Sequence, residues 1–369
     1  MGTYLNPDNS KFQESINSDI YVDKTGLITY TNSVIHTQQK CICVSRPRRF
    51  GKSMAANMLS AYYSRGCDSK ELFQNLEIAE DDQFETYLNQ YDVIFLNVQE
   101  FLSQSKNIDE MISLIRRSVL WDLLGEYPEF RYFDTSNLTR TMQDVYQQTK
   151  CPFVVIIDEW DCVFREYKTN RETQERYLDF LRDLLKDKGY IHLAYMTGIL
   201  PIKKYGTHSA LNMFDEFSMI EPGPLASYVG FTETEVQKLC GQYDMELEEA
   251  KNWYDGYSFD KALSVYSPRS VVSCMRLGKI GNYWNQTETF EALQVYIDMN
   301  FDGLKDDVLS MIAGNQVPVN IGSFTNDMTT FRSEDDVLTL LIHLGYLGYD
   351  SDNKAVFIPN GEIRSEYVN

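Results

Sequence analysis

Four continuous apolar runs mark the first half of the chain, at 41–45, 92–98, 151–159 and 191–198. Short runs without polar alternation suit strands buried on both faces of a parallel sheet. Between them the apolar spacing turns helical near 54–65, 108–125, 137–149 and 171–188. This alternation predicts an α/β domain, a parallel sheet with helices on both faces. After Pro222-Gly223-Pro224 the pattern changes: strand runs nearly vanish, and helices are expected near 232–241, 246–255, 268–277, 288–300, 302–313 and 334–344. Thr232-Glu233-Thr234-Glu235 reads as a capping box, in which hydroxyl and carboxylate each satisfy an orphan N–H at a helix start. Residues 345–350, a polar turn at 351–354 and residues 355–358 read as a β-hairpin. The boundaries fall at 1–222 for the α/β domain and 223–369 for a mostly helical, winged-helix-like lid.

Composition narrows the function classes. At 369 residues the chain has room for two domains of ~150 residues each. Its formal charge of −20 gives an average field that repels nucleic acid. Seven cysteines without a C-x-x-C read as reduced, mostly buried thiols, and four histidines show no metal-ligand spacing. Residues 1–19 lack an apolar signal core, and no run reaches the ~20 apolar residues of a membrane span, so a cytoplasmic protein is expected. Against the acidic background Arg46, Arg48, Arg49 and Lys52 form a positive cluster suited to a polyanion such as ATP.

That cluster lies in Arg46-Pro47-Arg48-Arg49-Phe50-Gly51-Lys52-Ser53, between a predicted strand and a predicted helix. Strand, loop, Gly-Lys-Ser and helix make the context of a phosphate-binding loop. Lys52 would reach the β- and γ-phosphates, and the Ser53 hydroxyl would ligate Mg²⁺. The N–H groups of Arg49, Phe50, Gly51, Lys52 and Ser53, with the helix start at Met54, would cradle the phosphates. Gly51 is expected to avoid crowding the phosphate. The usual first glycine of such a loop is replaced by Arg46, at a position that often needs unusual φ/ψ, and Pro47 stiffens the turn. Arg48 or Arg49 either pairs with phosphate oxygens or with an acidic surface residue.

The strongest strand run ends in Asp158-Glu159. With a phosphate loop upstream, Asp158 would hold Mg²⁺ and Glu159 would activate the attacking water. The alternative is a strand-end carboxylate that caps Trp160 and the next helix. The run at 92–98 is read as the strand separating the loop strand from the acidic one. Thr197-Gly198 ends the fourth strand, where Thr197 senses the γ-phosphate, orients the water, or is a satisfied strand-end hydroxyl. Asp161, just past Glu159, either supports the site from behind its contacting residues or is a plain helix carboxylate, the latter being the preferred reading.

Taken together, the chain resembles the AAA-ATPase-like family of bacterial proteins often fused to a PD-(D/E)XK nuclease. The resemblance rests on Tyr21-Val22-Asp23-Lys24-Thr25, the arginine-rich loop, Asp158-Glu159-Trp160-Asp161 and Thr197-Gly198. It continues through Trp253-Tyr254-Asp255-Gly256-Tyr257, Tyr266-Ser267-Pro268-Arg269-Ser270, Tyr283-Trp284 and Leu344-Gly345-Tyr346-Leu347. It implies a P-loop NTPase fold of the AAA/STAND type, ATP and Mg²⁺ as cofactors, and ATP hydrolysis. In related folds the approach to the loop lies near the adenine. Tyr21 or Val22 would then pack on the base and Asp23 would bind its exocyclic amine; the alternative is that Asp23 or Thr25 caps a helix. The Trp253–Tyr257 aromatics read as lid core and a turn. Arg269 stands where the family usually has Trp, and either faces the nucleotide or the solvent. No nuclease strand pair is found, so the nuclease part is expected to be missing, by truncation or by nature.

The expected activity is that of a slow ATPase acting as a switch for a nuclease-type domain or another effector protein, with nucleic acid met only through that partner. A non-hydrolysing nucleotide-binding interaction module and a DNA-binding regulator are the alternatives.

Overall fold

A computed structural model of the chain describes residues 2–202, 211–259, 263–284, 297, 301–324 and 331–368. The chain forms two compact units. The first takes 1–44, 52–198 and 204–216; the second takes 45–51, 199–203 and 217–369.

In the first unit β1 (Cys41–Ser45), β2 (Asp92–Asn97), β3 (Phe153–Asp158), β4 (Ile191–Gly198) and β5 (Asp215–Phe217) form one sheet, in the order β2-β3-β4-β1-β5. β3 pairs in parallel with β2 on one side and β4 on the other. Every residue of β1 and β3 is buried, which is why these runs carry no polar alternation. The helices Lys52–Tyr63, Ile108–Glu126, Leu138–Thr149 and Arg171–Leu185 fill the expected intervals. Three of them start at an asparagine whose side chain accepts an N–H of the first turn: Asn107 from Glu110 at 2.9 Å, Asn137 from Arg140 at 3.1 Å and Asn170 from Thr173 at 3.1 Å. Such a cap is worth about 1 kcal/mol and fixes where the helix begins.

The sheet order corrects one expectation. The strand between β1 and the acidic β3 is β4, not β2, because helical crossovers return over the sheet and chain order is not spatial order. β2 lies on the far side of β3. There Leu5 bridges to Ile94, and Asn6 donates to Asp92 Oδ1 at 2.7 Å, so the N-terminal segment covers that edge.

The second unit is mostly helical, as expected, but also carries short strands that the sequence pattern did not mark. β6 (Phe231–Thr232), β7 (Tyr257–Phe259) and β8 (Leu263–Tyr266) form an antiparallel sheet ordered β6-β8-β7. Pieces of two to four residues are too short to show a period-two pattern. The predicted hairpin is present as β10 (Gly348–Asp350) and β11 (Ala355–Phe357), and β9 (Val317–Pro318) adds to β11. It follows the helix Glu334–Leu344. Helices Glu233–Tyr243, Leu247–Tyr254, Pro268–Leu277 and Leu304–Ile312 match their predicted intervals, whereas 288–300 lies almost wholly outside the described residues. The capping box is formed: Thr232 N donates to Glu235 at 2.7 Å and Glu235 N to the Thr232 hydroxyl at 3.4 Å.

Candidate functional site

The chemistry-bearing residues of the first unit meet at the C-terminal ends of β3 and β4. Lys52 and Ser53 open the helix Lys52–Tyr63, whose first N–H groups have no helical acceptor. Their neighbour Met54, expected to contribute through its backbone, is 46% exposed at the side chain. Lys52 is buried, and burial lowers its ammonium pKa. Glu159, Asp161 and Asp158 oppose that shift, in that order, while Arg165 adds to it. Burial pushes the Asp158 carboxylate up, and the neighbouring Ser53 opposes that rise. Asp158 accepts the Glu159 N–H at 3.0 Å. Asp158 and Thr197 are register partners on adjacent parallel strands. Thr197 is fully buried, and its hydroxyl has no hydrogen-bond partner among the described residues.

Glu159 sits just past β3 with φ +55, in the left-handed region. Its Oε2 accepts from Arg165 Nη2, and Arg165 Nε lies 3.3 Å from Asp161 Oδ2. Neither contact was anticipated. Asp161, read as a plain helix carboxylate, is fully buried within an ion-paired cluster instead. Nor does Glu159 cap Trp160: the Trp160 N–H donates to Thr197 O at 3.1 Å, locking the turn after β3 to the end of β4. Gly198 belongs to the same lock. A Cβ there would lie 2.6 Å from Asp161 Oδ1 and 2.7 Å from Trp160 Cδ1. The Thr-Gly pair thus has a packing reason beside any catalytic one. Arg165 could have been found from its spacing, four residues beyond Asp161 on a helix that follows the acidic strand.

The arginine-rich part of the loop is packed within the second unit. Arg46 is fully buried; its Nη1 donates to Ser45 O at 2.9 Å and to Phe217 O at 3.0 Å, and its guanidinium stacks 4.9 Å from the Phe259 ring. Arg46 is not among the positive-φ residues, so replacing the usual glycine costs no backbone strain at that position. The left-handed conformations fall at Arg49 (φ +72) and Gly51 (φ +91) instead. At Gly51 a Cβ would meet no protein atom within 4 Å, and the positive φ by itself favours glycine. Arg49 Nη1 donates to Tyr283 O at 2.7 Å. Phe50 is fully buried, edge-on to Tyr257 at 5.3 Å. Pro47 packs where a Cβ on Gly345 would come within 2.8 Å of it. Arg269 is exposed, and its charge together with that of Arg48 helps lower the Arg49 pKa, burial being the larger cause.

Asp23, expected at the adenine, has both oxygens engaged elsewhere. Oδ1 accepts from Thr25 N at 2.8 Å and from the Thr25 hydroxyl at 2.7 Å, and Oδ2 accepts from Glu77 N at 2.7 Å. These bonds fix the turn into the helix Gly26–Val34, though neither Asp23 nor Thr25 makes a side-chain cap to it. Tyr21 lies edge-on to Phe12 at 6.3 Å. In the second unit Tyr254 donates to Gly281 O at 3.0 Å and Tyr257 to Gly345 O at 2.6 Å, as core aromatics do.

A divalent cation fits what is present. Among the described residues no three His, Cys, Asp or Glu side chains cluster as an all-protein metal cage. Mg²⁺, however, is usually held by one or two oxygen ligands of the protein together with substrate phosphates, and the neighbouring Ser53 and Asp158 would offer such a pair. Burial penalises the charged form of Asp158, which a neighbouring cation would relieve.

A β2-β3-β4-β1-β5 sheet with Gly-Lys-Ser after β1 and Asp-Glu after β3 defines a P-loop NTPase fold of the AAA-like kind. Residues 9–207 match the profile of the predicted AAA-ATPase family, and the chain belongs to it. A curated relative, an uncharacterised protein in the vnfD 5′ region of Azotobacter chroococcum mcd 1, is 22% identical over 280 residues. The match covers 73% of this chain and 51% of the relative, so the chain spans about half the length of that protein. Among solved structures, the Walker-type ATPase PABY2304 of Pyrococcus abyssi aligns with TM-score 0.47 and 12% identity, covering 94% of this chain and 95% of its own. The Aeropyrum pernix ORC2 protein, in ADPNP–ADP complexes, aligns with TM-score 0.39 and 12% identity over 95% and 96%. Among the described residues no helix is long and apolar enough to cross a membrane.

Proposed function

We propose that the chain binds ATP with Mg²⁺ and hydrolyses it slowly, as a switch for an effector protein or nuclease-type domain. The observation that carries this reading is Ser53 set beside the buried Asp158, with Lys52 buried in the field of three carboxylates. Lys52 and the first-turn N–H groups take the phosphates. Ser53 and Asp158 take the metal, which neutralises charge on the β- and γ-phosphates. Glu159 accepts a proton from the attacking water, and Thr197 contacts the γ-phosphate or that water. The loop arginines act through the loop's shape: Arg46 and Phe50 anchor it, leaving backbone N–H groups to meet the ligand.

Lys52→Ala should abolish nucleotide binding in isothermal titration. Glu159→Gln should bind ATP with wild-type affinity while phosphate release falls by about 10²-fold or more. Equal turnover by Glu159→Gln and wild type would remove Glu159 from the mechanism. Tight binding without turnover by the wild type would leave a nucleotide-holding interaction module.

A further inference from the structure

Among the described residues at this site, Arg165 and Asp161 are charged side chains that the proposed reaction does not use. Arg165 lies on the short helix Cys162–Glu166, four residues beyond Asp161, so its side chain reaches back one helical turn. There it bridges two carboxylates, with Nη2 on Glu159 Oε2 and Nε 3.3 Å from Asp161 Oδ2. The Arg165 side chain is 15% exposed and that of Asp161 is 0%. Burial works against the guanidinium charge, but Asp161 and then Glu159 outweigh it and hold the arginine above its usual pKa.

The anchor is itself immobilised. The absent Cβ of Gly198 lets Asp161 and Trp160 pack directly on the end of β4. Glu159, by contrast, stands at the left-handed turn after β3 with its side chain 24% exposed, and a glutamate has three torsions to fix. The Arg165 contact occupies Oε2; among the described residues Oε1 makes no hydrogen bond.

Resting on the reading of Glu159 as the base, we propose that Arg165 is a positioning residue. Anchored by Asp161, it holds one carboxylate oxygen of Glu159 and so presents the other to the attacking water. This is the relation of a base to the group that orients it. As the water oxygen bonds to the γ-phosphorus, the bond to the ADP oxygen breaks and the water proton passes to Glu159 Oε1. It then leaves with the phosphate.

The test compares steady-state turnover and nucleotide affinity for the wild type, Glu159→Gln, Arg165→Met, Arg165→Lys and Asp161→Asn. Misplacing a reacting group by an ångström can cost about 10²-fold. Arg165→Met should therefore lose about that much kcat, with KM and ATP affinity nearly unchanged. Arg165→Lys should recover part of the loss, and Asp161→Asn should lose kcat in the same direction. Arg165→Ala, made in addition to leave room for the ion, should be partly restored by free guanidinium, whereas Glu159→Gln should not. Should Arg165→Met fail to fold, the lysine and asparagine variants make the same comparison. If Glu159→Gln is inactive while the Arg165 variants turn over at the wild-type rate, the positioning role is overturned and the base assignment stands. If Glu159→Gln itself is unimpaired, the functional reading fails first. Loss of thermal stability and of ATP affinity without a selective fall in kcat identifies a merely structural ion pair and also overturns the proposal.

Discussion

Asp158→Asn separates the cost of a buried carboxylate from its use. Burial raises the Asp158 pKa, so folding penalises its charged form. The neutral isostere should raise rather than lower the melting temperature measured without nucleotide, while Mg²⁺-dependent strengthening of ATP binding disappears. Arg46→Gly, which would restore the usual glycine, is expected to destabilise the chain by about 2–4 kcal/mol in denaturant titration. It removes a buried guanidinium that bonds two carbonyls and stacks on Phe259. Lys52, Ser53, Asp158 and Glu159 were all legible in the sequence, because strand–loop–helix punctuation and an apolar run ending in two acids are local signals. Arg165 was legible only as an i,i+4 spacing. The Arg46 contacts were not legible, since Phe217 and Phe259 lie far along the chain and no local pattern links them to the loop.

Among the elements, the second unit carries a pH-sensitive clasp. Glu362, on the helix Gly361–Val368, accepts from the Ser270 hydroxyl at 2.7 Å, Tyr283 N at 2.6 Å and Trp284 N at 2.9 Å. Burial pushes its carboxyl up to about 7 despite those donors, with Glu366 adding to the rise. A carboxyl raised in the folded state stabilises below its unfolded pKa, and that contribution is lost as pH climbs through the folded value. The wild type should therefore lose stability between pH 4.5 and about 7 through this group. Glu362→Gln should flatten that part of the profile in thermal melts across the window. An unchanged slope in the variant would assign the pH dependence to other groups. Long strands and helices were readable from periodicity, but the two- to four-residue strands β6–β9 were not: their pairing depends on partners supplied from elsewhere in the chain.

For the whole molecule, ligand binding and stability should be linked. A ligand at about 100 times its dissociation constant stabilises the folded state by about 2.7 kcal/mol. Mg²⁺-ATP should accordingly raise the wild-type melting temperature by several degrees and leave Lys52→Ala unchanged in the same fluorimetric scan. With a net charge of −20, the chain alone should show no retention of duplex DNA at ~150 mM salt in filter binding. Such retention, insensitive to Lys52→Ala, would favour direct DNA regulation over action through an effector.

The arginine-rich loop also bears on how proteins of this kind are found and altered. Many phosphate loops owe their curvature to glycines, whose freedom makes the turn portable between scaffolds. Here the curvature is moored by a stacked guanidinium, a proline against Gly345 and a phenylalanine in a packed core. A search that counts glycines passes over it, and a graft of the octet alone would arrive without its moorings.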